Sequence, residues 1–178
     1  MRAAPWTLAG ALMLAPAGAP ATIATPARAF VEIVIDRCAE QILAGRYPDT
    51  GGLTPDPAGG WVSAVVVRLD VAERDGARIC QVVEAGAAPG EGQGTADAVF
   101  DTVDRWARAA IAEERLVLVS DCPSATEARR LAMGSVEPVR RDLHLVLALS
   151  EARDTGRLRA LVGESPEPPA LSCTEEAT

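Results

Sequence analysis

The chain contains no lysine and no asparagine, and its one histidine is His144. Without lysine there is no Schiff-base nucleophile and no phosphate-gripping P-loop cation, and without asparagine there is no N-linked glycosylation acceptor. A single imidazole excludes multi-histidine zinc centres. Aromatic residues make up 3% of the sequence, too few for the exposed rings on which sugars stack. No two cysteines are spaced C-x-x-C, which excludes zinc knuckles, thioredoxin-like redox motifs and c-type haem attachment. No metal or cofactor is expected.

What the chain does have at its start is Arg2, an apolar run from Trp6 to Leu14, and then a tract of Ala, Pro, Gly and Thr without an acid. That order predicts a secretory signal peptide. The run is far shorter than the roughly 20 residues a membrane-spanning helix needs, so no stable membrane anchor is expected. Small residues permit cleavage after Ala17, Ala21 or Ala29, and residues 1–29 are set aside as signal peptide and leader. A periplasmic or secreted location follows as the expectation.

Export changes what Cys38, Cys80, Cys122 and Cys173 mean, because an oxidising compartment lets thiols pair. Four cysteines allow three connectivities. Cys38 with Cys80 and Cys122 with Cys173 would staple each half of the domain.

The formal net charge is −8, and it becomes more negative once Arg2 and Arg28 are removed. An acidic chain without a basic stripe repels phosphate backbones, so nucleic acid is not an expected partner.

Residues 30–163 have the size of one domain, and 164–178 read as a Pro-rich acidic tail. "FVEIVIDRCAEQILA" places Val31, Val34, Ile35, Cys38 and Ile42 on one helical stripe. The Pro- and Gly-rich stretch 46–60 reads as a loop. Trp61–Val71 alternates as a strand, Asp75-Gly76 turns the chain, and "ARICQVVEA" returns as its partner. Gly90, Gly92 and Gly94 lack the G-x-G-x-x-G spacing of a nucleotide loop and fit a plain connection. A second amphipathic helix follows from an N-cap at Thr95, with Val99, Phe100, Val103 and Trp106 on its apolar side.

"RLVLVSDC", "DLHLVLALSEA" and "RLRALVG" read as further strands, the second with Leu143, Leu145, Leu147 and Leu149 on one face. Residues 124–134 fit either a helix, through the Ser124/Glu127 capping spacing, or an edge strand, with the strand preferred. The expected fold is therefore α+β, an antiparallel sheet of about five strands covered on one face by two helices and braced by disulfides, in the order α-β-β-α-β-β-β.

Two constellations carry chemistry. Asp142 and His144, two apart on a strand, would share a face, as an acid orienting a histidine must. That is the basis of an envelope hydrolase, although nothing around Ser135 resembles a G-x-S-x-G elbow and Ser150 lies about 20 Å along the strand. Arg129, Arg130, Arg140 and Arg141 are basic clusters in an acidic protein, suited to gripping carboxylates on a protein partner or a small anionic ligand. The expectation is an exported, disulfide-containing, non-catalytic binding domain, with the hydrolase and a purely structural envelope protein as alternatives.

Overall fold

A computed structural model describes residues 26–84 and 93–167. The leader, the glycine loop around Gly90 and Gly92, and Cys173 with the rest of the tail from 168 onward lie outside the described residues.

The first stretch is one continuous helix in three segments: α1 (Pro26–Glu32), a π-helical segment (Ile33–Ala39) and α2 (Glu40–Leu43). The apolar stripe drives it onto the sheet, burying Phe30, Ile33, Val34, Cys38 and Ile42. In the wide π turn, residues five apart become neighbours. Arg37 Nη2 accordingly donates to Glu32 Oε1 at 2.8 Å, and Gln41 Nε2 to the Asp36 carbonyl at 3.1 Å. Pro26, whose missing N–H costs nothing in a first turn, opens the helix.

The strands are β1 (Thr54–Pro55), β2 (Trp61–Val62), β3 (Val67–Arg74), β4 (Ala77–Glu84), β5 (Leu116–Ser120), β6 (Glu127–Ser135), β7 (His144–Ala152) and β8 (Leu158–Ser165). They form one antiparallel sheet in the order β1-β2-β3-β4-β8-β7-β6-β5. The expected sheet of about five strands is thus corrected to eight. Residues 124–134 contribute most of β6, the stretch read as a loop contributes β1, and Trp61–Val71 is two strands rather than one. It breaks at Ser63, whose backbone N–H bonds the Val67 carbonyl and whose Oγ accepts from the Val67 N–H at 3.1 Å, while Val66 turns the chain at φ 62°.

The β3–β4 hairpin closes through Asp75 and Gly76 at φ 51° and 78°, the two positive values a type I′ turn needs. α3 (Gln93–Ala112) begins two residues before the expected N-cap at Thr95. Leu143 is not part of β7; it forms an isolated bridge with Arg140.

Alternation decides which side of the sheet is the core. Leu69, Cys80, Val82, Ala160, Val162, Leu147, Leu149 and Met133 face the helices and join Phe30, Ile33, Val99 and Val103 in one buried cluster. The N-terminal helix touches β3, β4 and β8, and α3 touches β5 and β6. No described helix packs on the opposite face. Cys38 and Cys80, both fully buried, form the one disulfide seen among the described residues, with a Cα–Cα distance of 6.2 Å. No described helix is long and apolar enough to cross a membrane.

Candidate functional site

The four arginines do not converge. Arg130 pairs with Ser150 across β6 and β7, whereas Arg140 sits in the turn before His144, at the other end of β7. Six residue steps separate the two levels, about 20 Å at strand rise.

Each arginine also has its own local situation. Arg129 Nη1 lies 2.7 Å from Asp97 Oδ1 on α3, with its guanidinium 4.9 Å from the Phe100 ring centre. Arg130 reaches Glu127 at 3.4 Å. Arg140 donates to Glu164 at 2.9 Å and to the Gly76 carbonyl, and so belongs to a buried ion cluster. Arg141 is exposed in a left-handed turn. Arg129 and Arg130, being adjacent on a strand, face opposite sides of the sheet.

The ion cluster centres on Glu164, whose side chain is fully buried. The Arg78 backbone N–H donates to Oε2 at 2.8 Å and its Nε to Oε1 at 3.0 Å, while Arg78 Nη1 caps the Gly45 carbonyl at 3.0 Å. Burial pushes the Glu164 carboxyl up, but the hydrogen bonds from Arg78 and Arg140 outweigh it and bring the pKa down to about 2. The cluster ties β4, β8, the turn at 140 and the end of the N-terminal helix together, and commits Arg140 Nε and Nη2 to Glu164 and the Gly76 carbonyl.

His144 and Asp142 are not an oriented pair. Asp142 lies in a turn, outside β7, so the strand parity that would put both side chains on one face does not apply. The His144 ring is half-buried, and its Nδ1 lies 3.2 Å from the Ser135 carbonyl, which can only accept, so Nδ1 carries the proton. The Ser135 hydroxyl is committed elsewhere: it donates to the Glu137 carbonyl at 2.7 Å and accepts the Leu145 N–H at 2.9 Å.

A shallow cavity of about 270 Å³ is lined by Leu43, Glu114, Arg115, Ser135 and the segment Glu137–Val139. It contains neither His144 nor Asp142. Beside it, Glu40 accepts from Trp106 Nε1 at 2.9 Å and from Arg115 Nη1 at 3.4 Å, a tie between the N-terminal helix and the far end of α3. No group of three or more metal-ligating side chains occurs among the described residues.

One arrangement was not foreseen from the sequence. Arg130, Ser150 and Arg159 stand in a single row across β6, β7 and β8 on the helix-free face. Two strand spacings, about 9.6 Å, separate the arginine Cα atoms. The alternation of Leu158, Ala160 and Val162 already implied that Arg159 faces away from the core; only the pairing register reveals its neighbours. Leu161, next along β8 on that face, is 43% exposed.

Comparison with known proteins gives no match, whether to a family model, a curated protein or a solved structure.

Proposed function

We propose that the protein is an exported, disulfide-braced domain of the cell envelope that acts by binding rather than catalysis. The observation that carries this is the row Arg130–Ser150–Arg159 on a sheet face no described helix covers. Two guanidinium groups, that of Arg130 with one nitrogen 3.4 Å from Glu127, flank a hydroxyl there, and guanidinium groups grip carboxylates through two parallel hydrogen bonds. An acidic peptide segment of a protein partner, or a small anionic ligand, is the chemistry that fits. The hydrolase alternative loses its support because Asp142 lies outside β7 and the Ser135 hydroxyl is already used twice.

Export is supported by the buried Cys38–Cys80 bridge, since such bonds persist in oxidising compartments. Cleavage after Ala17 or Ala21 agrees with the helix, which begins at Pro26 and buries Ala29 and Phe30. A cut after Ala29 would remove its first turn.

The test has two arms. Tagged full-length protein, fractionated from cells, is expected in the periplasm or medium with an N-terminus at residue 18 or 22. The purified mature protein, titrated with a glutamate-rich peptide and followed by amide chemical shifts, is expected to respond along β6–β8, and Arg130→Ala/Arg159→Ala to abolish the response. An intact cytosolic chain, or shifts unaffected by the double replacement, refutes the corresponding half.

A further inference from the structure

The two borders of the sheet are finished differently. At one end β1 is two residues long, both exposed, and Pro55 has no N–H to offer; short strands and prolines keep other strands from adding to an edge. At the other end β5 reads "LVLVS", without a charge or a proline. Its outer side pairs with nothing among the described residues. Val117 and Leu118 are 37% and 38% exposed, and near them stand Ile111, in the last turn of α3, and Val136, whose N–H bonds the Arg115 carbonyl. Four of the seven large apolar side chains exposed among the described residues therefore border β5 or the joint that leads into it.

In an antiparallel ladder the backbone groups of alternate residues point to opposite sides. The Arg115 carbonyl accepts the Val136 N–H at 3.1 Å, and Val117 pairs with Gly134. Arg115 and Val117 thus turn toward β6, while Leu116 and Leu118 present N–H and C=O groups outward. A bulge between Leu118 and Ser120 ends the pattern, and the extra twist of a bulge carries the rest of the strand away. The open template is therefore Leu116–Leu118. A second β5 running antiparallel about a two-fold axis at Val117 matches it. Leu116 then meets Leu118 of the second copy, and Leu118 meets its Leu116, each pair exchanging two hydrogen bonds. The same register sets Arg115 against Val119 and Glu114 against Ser120, so no like charges oppose each other from 114 to 120, although the chain carries a net −8.

We propose that the protein self-associates as a two-fold dimer through β5, joining two eight-stranded sheets into one. The occupant of this edge is a second copy because the outward backbone groups repeat under the two-fold and the strand offers a charged partner nothing to pair with. Leu118 lies on the helix side, level with Met133, and Val117 on the helix-free side, level with Gly134. Apolar contact therefore covers both faces of the seam. The seam is short, which puts the dimer at the small, weak end of interface sizes and makes it concentration-dependent. A two-fold axis perpendicular to the sheet turns both helix-free faces, each with its Arg130–Ser150–Arg159 row, to the same side. The dimer stands apart from the binding role given to that row.

The test uses the mature oxidised chain. Sedimentation velocity from about 10 μM to about 1 mM is expected to show a monomer–dimer equilibrium. Leu118→Lys puts a charge on the edge at a part-exposed position, as natural edge strands do. It is expected to weaken association at least tenfold while leaving the far-ultraviolet spectrum and the Cys38–Cys80 bridge unchanged. Val117→Cys reads the register directly, because opposite residues of a non-hydrogen-bonded pair lie about 4.5 Å apart at Cα, within reach of a disulfide. Mild oxidation should link most of that variant into a covalent dimer. Val119→Cys, whose two copies would stand about 13 Å apart along the strands, should stay unlinked. A monomeric mass over the whole concentration range refutes the dimer. Association that Leu118→Lys leaves unchanged, or equal cross-linking of the two cysteine variants, refutes pairing through β5.

Discussion

Arg78 and Glu164 face each other across β4 and β8, joined by one backbone and two side-chain hydrogen bonds, on a carboxylate with no exposed surface. Because the folded-state pKa of Glu164 is depressed to about 2, its contribution is fully present above the ordinary carboxylate range near 4.5 and is lost as the pH falls toward 2. Urea midpoints should therefore fall between pH 5 and pH 2. Glu164→Gln should lower the midpoint at pH 7 by the equivalent of about 3 kcal/mol, since it leaves Arg78 buried without its counter-charge, and should flatten that part of the acid profile.

Glu84 behaves in the opposite sense. Burial raises its pKa, only partly offset by the Leu158 backbone N–H and by Arg157, and its Oε2 has no hydrogen-bond partner. A carboxyl whose folded pKa is raised stabilises the fold at low pH and loses that contribution as the pH rises through it. Glu84→Gln is expected to raise the urea midpoint at pH 7 by the equivalent of about 1 kcal/mol, with the gain vanishing below pH 4.

The Cys38–Cys80 bond closes a loop of 42 residues. Cys38→Ala/Cys80→Ala should lower stability by about 4 kcal/mol in the chain-entropy account, measured by thermal melting of the mature protein.

Ser135→Ala removes an acceptor from the buried Leu145 N–H and a donor from the Glu137 carbonyl. The expected loss is about 1–3 kcal/mol, the cost of leaving a buried backbone donor unpaired. Hydrogen exchange at Leu145 should quicken more than at Leu147, which keeps its ladder bonds.

Val66 is a β-branched residue held at φ 62°, half-exposed in the turn before β3. Val66→Gly should therefore stabilise the protein by about 1 kcal/mol, because glycine adopts that conformation without a Cβ clash. A chemical denaturation series on the single variant measures it.

The parts of the fold that were legible are those with one buried face. Leu145, Leu147 and Leu149, and Leu158, Ala160 and Val162, each carry the period of two that a half-buried strand imposes, and the Asp75-Gly76 turn announces its hairpin. β1 and β2 were not legible, since two residues carry no period. The break at Ser63 was hidden because "SAVVV" is a strand-favouring run in which one valine takes a conformation valine seldom adopts. The candidate site suffered from the same limit at a larger scale. Sequence shows which side of its own strand an arginine occupies, but not how the strands slide against one another. That sliding puts Arg130 level with Arg159, and it keeps Arg140 about 20 Å from Arg130. Asp142 and His144 were paired by strand parity, and the strand begins two residues too late, at His144, for parity to hold.

The position of β8 has a consequence for how the molecule comes together. This strand is the last of the eight in sequence, yet it lies in the middle of the sheet, between β4 and β7. Until it arrives, the polypeptide consists of two separate ribbons, each with a raw interior border of unsatisfied amides. A chain crossing a membrane amino end first would deliver both ribbons before the piece that joins them, so the junction can be made only near the close of translocation.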